Sequence, residues 1–283
     1  MPEKRAAVDA TCHAGVSRNR ACRLVGLQSS SYYYQGCRAH DDGLSQRLRD
    51  LAERWRRFGY RRLAVLLRRE GLTVNHKRVH RLYKAAGLQV RKRRRKRVAV
   101  ARGERPAIPR RPNQRWSMDF MRDTLKDGRV FRTLNIVDDC SRECLAIEID
   151  TSLTGRRVVA VLERLADERS LPHTIVVDNG PEFAGTVLDA WAARKGIRLH
   201  FIDPGKPIQN AYIESFNGRF RDECLNENWF VDLWEARRLT EDWRLIYNTL
   251  RPHGALGDLT PEAFAQQLLN SAQAESVLVE ALQ

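Results

Sequence analysis

From residue 113 onward the hydrophobic pattern changes period in a fixed order, and this order constrains the fold more than any other feature of the chain. Three segments alternate as strands do (114–121, 130–138 and 143–149), and a helical pattern opens after them at Gly155. The strand TIVV, a helix over VLDAWAARKG and the strand IRLHFI come next. Three strands in a meander followed by strand–helix alternation predict an α/β fold with a mixed sheet.

The stretch Asp203–Asn226, DPGKPIQNAYIESFNGRFRDECLN, combines a loop with an amphipathic helix. Two prolines and a glycine break regular structure at its start, and Asn210 is a suitable N-cap for the helix that follows. At about 100° per residue, the apolar side chains fall on one side: Tyr212, Ile213, Phe216 and Phe220. The opposite side carries a polar stripe of Glu214, Asn217, Gly218 and Arg221. Taken alone, such a stripe indicates only a solvent-exposed helix face.

Two aspartates upstream change the interpretation of Glu214. Asp119 falls within a strand pattern, on the face opposite Trp116 and Met118, and aspartate is depleted from strands. Asp178 ends the run TIVV and precedes the turn signal Asn-Gly-Pro, a position where open α/β sheets place their sites. The 35 residues between Asp178 and Glu214 fit a helix, a strand and the start of another helix. We therefore expect the three carboxylates to converge.

Five motifs extend this pattern over residues 110–265: NQRWSMDF, IVDDCSRE, DNGPEF, GKPIQNAYIESFNGRFRDECLNE and YNTLRPHGALGDLTP. With them the chain resembles the transposases of bacterial insertion sequences, specifically the product of the second of two overlapping frames. Their catalytic domain is related to the retroviral integrases and carries an Asp-Asp-Glu triad with 35 residues between its last two members. The triad matches Asp119, Asp178 and Glu214, and a basic residue seven positions further matches Arg221.

The resemblance implies a ribonuclease-H-like catalytic core and a transposase that nicks the ends of its element and joins the freed 3′-hydroxyl to another strand. Three carboxylates offer the hard oxygen ligands that Mg²⁺ prefers. We expect them to bind two such ions, with Mn²⁺ as a substitute, so that water or a DNA 3′-hydroxyl attacks without a nucleophilic side chain. The implied partners are double-stranded DNA, as terminal inverted repeats and target, a homo-multimeric synaptic complex, and a fusion with the upstream-frame protein.

The charge of the chain is divided unevenly. Residues 1–110 hold 29 Lys and Arg against 8 Asp and Glu, a net charge of +21, whereas the remainder has a net charge of −6. Such asymmetry points to a nucleic-acid partner. A non-catalytic DNA-binding protein, such as a regulator of its own element, would share this charge, so the charge predicts the partner and not the activity.

The sequence predicts five regions. Small all-α helix-turn-helix modules occupy residues 1–40 and 41–90, a basic linker follows at 91–112, the integrase-type core spans 113–226, and a helical extension covers 227–283. The linker run RKRRRKR fits a phosphate-tracking arm better than a nuclear-localisation signal, because the resemblance is bacterial. The expected DNA-contacting residues are Arg78, Arg81, Lys84, Arg93, Arg94, Arg95, Lys206, Asn217 and Arg221.

Other functional interpretations are weaker. Tyr212 beside Glu214 suggests a phosphotyrosine recombinase, but it falls on the apolar side of the helix and no Arg-His-Arg set surrounds it. We interpret three further acids, Asp138, Asp139 and Glu182, as structural. A retroelement or phage integrase usually bears a zinc-binding N-terminal domain, and the six cysteines show no zinc spacing. No apolar run reaches 18 residues, so we expect no membrane span and a cytoplasmic, nucleoid-associated bacterial protein.

Overall fold

The computed structural model describes residues 2–33, 41–90, 109–203 and 210–281. The predicted DNA contacts of Arg93, Arg94, Arg95 and Lys206 lie outside these residues, as does most of the basic linker. By its contacts the chain divides into two compact units, Met1–Arg47 and Leu48–Gln283. None of the described helices is long and apolar enough to cross a membrane.

The first unit is a small cluster of helices. Helix α1 (Pro2–His13), α2 (Arg18–Leu24) and α3 (Ser29–Tyr33) pack through Val8, Ala21, Cys22 and Leu27. The sequence predicted the α2–α3 pair, and Gly26, whose φ is +65°, makes the turn after α2 as expected. Helix α1 was not predicted, because its hydrophobic pattern is short and only Val8 is buried.

Three helices follow, as the sequence predicted from the glycines that separate them. They are α4 (Asp42–Arg54), α5 (Tyr60–Arg69) and α6 (His76–Ala85). Asn75 caps α6, since its side-chain oxygen accepts a hydrogen bond from the Lys77 N–H. Leucines of α5 and the Val79 and Tyr83 side chains of α6 are buried, so each helix turns an apolar face inward.

The second unit contains a five-stranded mixed sheet, which confirms the predicted α/β fold. Its strands are β1 (Arg115–Thr124), β2 (Val130–Asp138), β3 (Cys144–Asp150), β4 (Thr174–Val177) and β5 (Arg198–Phe201). Their order across the sheet is β3-β2-β1-β4-β5. The first three strands are antiparallel, and β4 and β5 add parallel to β1. This is the ribonuclease-H-like arrangement, with β1 at its centre.

Helices cover both faces of the sheet. Helices α7 (Gly155–Glu168) and α8 (Thr186–Lys195) pack on the face that carries Trp116 and Met118. Helices α9 (Ala211–Glu223) and α10 (Leu233–Thr249) pack on the other face. The aromatic rings of α10 contact Phe216 and Phe220 of α9, so the two helices share one hydrophobic core. The predicted boundary at 226 divides this core.

The last helix begins where the sequence predicted. Helix α11 (Pro261–Ala281) starts at Pro261, and the Thr260 hydroxyl accepts a hydrogen bond from the Ala263 N–H at 3.2 Å. Proline at the first helical position is favourable, because its missing N–H would have no partner there.

A buried ion-pair cluster fastens the carboxyl end of α9 to its neighbours. Glu223 accepts two hydrogen bonds from Arg251 at 2.7 Å each and one from Arg62 of α5 at 2.8 Å. Burial alone would raise the pKa of Glu223, but the hydrogen bonds and charges of Arg251 and Arg62 outweigh it and hold the pKa below its usual value. Arg57 pairs with Asp222 in the same region.

We expect Glu223→Ala to destabilise the protein by about 3–5 kcal/mol, because it leaves the buried Arg251 guanidinium without its carboxylate. Asp242→Ala is the matched control: its exposed pair with Arg238, four residues away on one helix, should contribute less than about 0.5 kcal/mol. Urea unfolding at neutral pH measures both. Equal losses from the two variants would show that the Glu223 cluster does not hold the fold.

Candidate active site

Asp119 lies in the middle of β1 and is fixed at both carboxylate oxygens. Its Oδ1 accepts a hydrogen bond from the Phe120 N–H at 2.7 Å. Its Oδ2 accepts one from the Asn217 side-chain amide of α9, also at 2.7 Å. Trp116 and Met118 point to the opposite face, as the alternation predicted. The strand therefore presents Asp119 toward α9.

Asp178 immediately follows β4 and is held by the turn that the sequence predicted. Its Oδ1 accepts a hydrogen bond from the Gly180 N–H at 3.0 Å, and Asn179 donates its side-chain amide to the Ile202 carbonyl at 2.9 Å. A Cβ atom at position 180 would lie 2.9 Å from Asp178 Oδ1. A side chain at position 180 would therefore force the Asp178 carboxylate to shift from this hydrogen bond.

Glu214 stands in the first turn of α9 and is exposed. Its charge reaches Asp119, whose pKa is raised to about 6. Burial is the largest cause of this shift, and the negative charges of Asp178 and Glu214 add to it. The charges of Asp178 and Glu214 thus both act on the Asp119 carboxylate.

Two side-chain amides, linked by a hydrogen bond, hold Asp119 in place. The Asn135 side chain of β2 donates to Asn217 Oδ1 at 2.7 Å, and Asn217 in turn donates to Asp119. Both asparagines are buried. Asn217, predicted as a DNA contact on the polar stripe, is buried, and its side-chain amide is bonded to Asn135 and Asp119. DNA contact by Asn217 remains a prediction. Asn135 was missed, although an asparagine inside an apolar strand pattern is itself a signal.

The predicted basic partner of the triad, Arg221, is bound to β1. Its guanidinium donates to Asp123 Oδ2 at 2.8 Å and to the Arg122 carbonyl at 2.6 Å. These contacts tie the second turn of α9 beyond Glu214 to the central strand. On α6, Arg81 and Lys84 are exposed and Arg78 is half-buried. DNA contact by these residues remains a prediction.

The competing acids have structural partners, which supports the interpretation made from the sequence. Asp138 caps the turn after β2, where its oxygens accept hydrogen bonds from three backbone N–H groups, those of Asn113, Cys140 and Ser141. Asp139 accepts hydrogen bonds from Arg115 at 2.5 Å and Ser117 at 2.7 Å. Glu182 pairs with Arg132 of β2.

The donor set suits a hard divalent cation. Within the described residues no three His, Cys, Asp or Glu side chains form a ready-made ligand cluster. The three carboxylates nonetheless offer only oxygen donors, and their mutual repulsion contributes to the raised pKa of Asp119. A bound cation would relieve that repulsion, so the chemistry of the site fits a metal that draws the ligands together.

The sheet order is the one expected for an integrase-type core. The family model for the integrase core domain matches residues 109–207, and a second model with the same description matches residues 195–261. The model for an HTH-like domain matches residues 39–97, which contain α4, α5 and α6.

Proteins of insertion elements are similar to this chain in sequence. The 31.7 kDa uncharacterized protein of insertion element IS407 from Burkholderia multivorans (strain ATCC 17616 / 249) is 47% identical over 266 residues, which cover 94% of this chain and 96% of that protein. The putative transposase InsK for insertion sequence element IS150 of Escherichia coli (strain K12) is 27% identical over 75% of this chain and 78% of its own length. The HTLV-2 integrase catalytic core domain in complex with magnesium is 17% identical, with a TM-score of 0.45 over 55% of this chain and 97% of that chain.

The chain therefore belongs to the family of bacterial insertion-element transposases that carry an integrase core domain. This membership assigns it to DNA transposition and integration and, as an enzyme, to the polynucleotidyl transferases.

The raised pKa of Asp119 predicts how stability depends on pH. In metal-free protein the folded state holds this proton up to about pH 6, whereas the unfolded chain releases it near pH 4. The contribution to stability is therefore full below about pH 4 and is lost as pH rises through 6. From pH 5 to pH 7 the free energy of unfolding of the parent should fall by about 1 kcal/mol relative to Asp119→Asn.

Urea unfolding in the presence of a chelator checks this expectation. Glu214→Gln should reduce the pH-dependent difference, because one of the charges that raise the pKa of Asp119 is gone. A constant difference between the parent and Asp119→Asn at all pH values would contradict the electrostatic description of the site.

Proposed function

We propose that this protein nicks the ends of its insertion element and joins the freed 3′-hydroxyl groups to target DNA. One observation supports the proposal: the negative charges of Asp178 and Glu214 act on Asp119, which lies in the central strand of a ribonuclease-H-like sheet. Their residue types and spacing match the Asp-Asp-Glu triad that the sequence predicted.

The three carboxylates would hold the divalent metal, two Mg²⁺ ions with Mn²⁺ as a substitute. When bound, such ions supply positive charge at the attacking and leaving oxygens of a phosphodiester. The chain's own residues keep the ligands in place: Asn217 orients Asp119, and the Gly180 N–H orients Asp178. Arg221, bonded to Asp123 and the Arg122 carbonyl, holds α9 and hence Glu214 against β1.

This chemistry needs no nucleophilic side chain, because water or a DNA 3′-hydroxyl attacks the phosphorus. Tyr212 is a poor candidate for a covalent intermediate. The Arg142 guanidinium lies 3.6 Å from the centroid of its ring, and Tyr212 is on the flank of α9 opposite Glu214. The tyrosine therefore stands away from the carboxylate site.

The DNA substrate would be bound mainly by the basic half of the chain. Helix α6, with Arg81 and Lys84 exposed, and the basic linker offer cations for phosphates of the terminal inverted repeats and the target. Joining two ends to one target requires several active sites, so a homo-multimeric synaptic complex is the expected working form. Fusion with the upstream-frame protein would add to this assembly.

Loss of each carboxylate tests the proposal. Asp119→Asn, Asp178→Asn and Glu214→Gln keep the shape of the side chain and remove its charge. Each should lower nicking and joining by at least about 10³-fold, since the metal supplies several kcal/mol of transition-state stabilisation. DNA binding should persist, because it depends on the basic N-terminal half.

A supercoiled donor plasmid that carries the element's ends is the substrate, and nicked or circularised product in Mg²⁺ or Mn²⁺ is the readout. Asp150→Asn is the matched control: it removes a carboxylate at the end of β3, where Asp150 pairs with Arg237 at the far edge of the sheet. If Glu214→Gln retained near-parental joining, the ligand assignment would be wrong. A parent that binds the ends but never cuts them would favour the non-catalytic regulator.

A further inference from the structure

Helix α9 has a second polar flank that the proposed chemistry does not use. Glu214 and Arg221 lie on one side of the helix, and the apolar residues Ile213, Phe216 and Phe220 face the sheet. Tyr212 and Arg219, two turns apart, lie on the remaining side. This second flank meets the turn between β2 and β3, where Arg142 is located.

Arg142 occupies a position that the fold holds under constraint. Its φ is +66°, in the left-handed region that residues other than glycine rarely adopt. Its guanidinium stacks on the Tyr212 ring at 3.6 Å from the centroid. One nitrogen of that guanidinium, Nη1, is buried and has no hydrogen-bond partner. A buried cationic donor without an acceptor is costly. The carboxylate whose charge interacts with Arg142, that of Asp139, is already bonded to Arg115 and Ser117.

Arg219 lies on the same flank of α9, and its charge interacts with that of Arg142. Its Nη1 donates to the Ser215 carbonyl at 2.9 Å. Burial lowers the pKa of Arg219, and the positive charges of Arg251 and Arg142 lower it further. Within the described residues neither Arg142 nor Arg219 forms an ion pair with a carboxylate, and the side chain of Arg219 is only half-buried.

Other buried or half-buried arginines of the core do have carboxylate partners. Six of them form ion pairs: Arg115, Arg132, Arg169, Arg221, Arg244 and Arg251. Toward the carboxyl end of the second flank, by contrast, the guanidinium groups of Arg62, Arg219 and Arg251 lie around one carboxylate, Glu223. Glu223 is fully engaged by Arg62 and Arg251. Among the described residues of this flank, Arg142 and Arg219 are therefore the cations that have no ion pair of their own.

We infer that Arg142 and Arg219 form a subsite for a backbone phosphate of DNA, on the flank of α9 opposite Glu214. The inference rests on the proposed function only in taking DNA as the ligand. Guanidinium groups bind phosphate through paired N–H donors, and the Tyr212 ring holds the Arg142 fork in one orientation before the ligand arrives.

The position of this subsite connects two parts of the second unit. Arg62 of α5, in the HTH-like region, lies within electrostatic reach of Arg219, and both adjoin Glu223. A duplex held by the helical module would thus meet Arg219 and Arg142 at the edge of the catalytic core. DNA would then contact both flanks of the helix that carries Glu214.

The salt dependence of DNA binding tests the subsite in the full chain. Affinity for a labelled mixed-sequence duplex is measured by fluorescence anisotropy over a series of KCl concentrations, with a chelator present. Arg142→Gln and Arg219→Gln should each lower the slope of log K against log salt by about 1, the value for one phosphate contact. The double variant should lower it further than either single variant. Arg142→Lys and Arg219→Lys, which keep the charge, should retain most of the slope.

Arg157→Gln is the matched control. It removes one positive charge that is already paired with Glu148 of β3, the strand at the edge of the sheet. Slopes for Arg142→Gln and Arg219→Gln that equal that of Arg157→Gln would overturn the inference. A second outcome would also overturn it: the salt slope of DNA binding is unchanged in the variants, and inorganic phosphate stabilises the parent but not the double variant. The two arginines would then bind free phosphate and not DNA. Asp119→Asn should keep the full salt slope of DNA binding. A failure of the proposed catalytic function can therefore be distinguished from a failure of the phosphate subsite.

Discussion

The hydrogen bond from Asn217 to Asp119 is the contact on which the arrangement of the site depends. It joins α9 to Asp119 of β1, the central strand of the sheet. Because Asn217 lies three residues after Glu214, the same bond fixes the rotation of α9 that turns Glu214 toward the aspartates. Asn135 holds Asn217 in turn, so the sheet and the helix set the site together.

The buried ion pairs around Glu223 extend this control to the other end of α9. Glu223 binds Arg62 of α5 and Arg251 beyond α10, while Arg69 of α5 donates to the carbonyls of Leu250 and Asp258. The helix that carries Glu214 is therefore anchored at its middle by the sheet and at its end by the HTH-like region. Movement of that region on DNA would act on α9 directly.

Much of the fold and the triad could be predicted from the sequence, because both depend on local patterns. The strand and helix periods, the glycine turn after Asp178 and the polar stripe with Glu214 are all visible within short windows. The amide chain was not predicted, since it joins residues 82 and 98 positions apart and depends on the packing of α9. Asn217 was accordingly placed on the surface. Which arginines lack an ion pair among the described residues, as Arg142 and Arg219 do, likewise depends on tertiary packing and could not be predicted from a local pattern.

The central claim is that three carboxylates from β1, the end of β4 and α9 form one divalent-metal site. Anomalous diffraction from crystals of the DNA complex grown with Mn²⁺ tests it directly. We expect an anomalous peak within about 2.5 Å of carboxylate oxygens of Asp119 and Asp178, with Glu214 facing the same ion or a second one beside it. A peak at Asp138 and Asp139 instead, with none at Asp119, would contradict it.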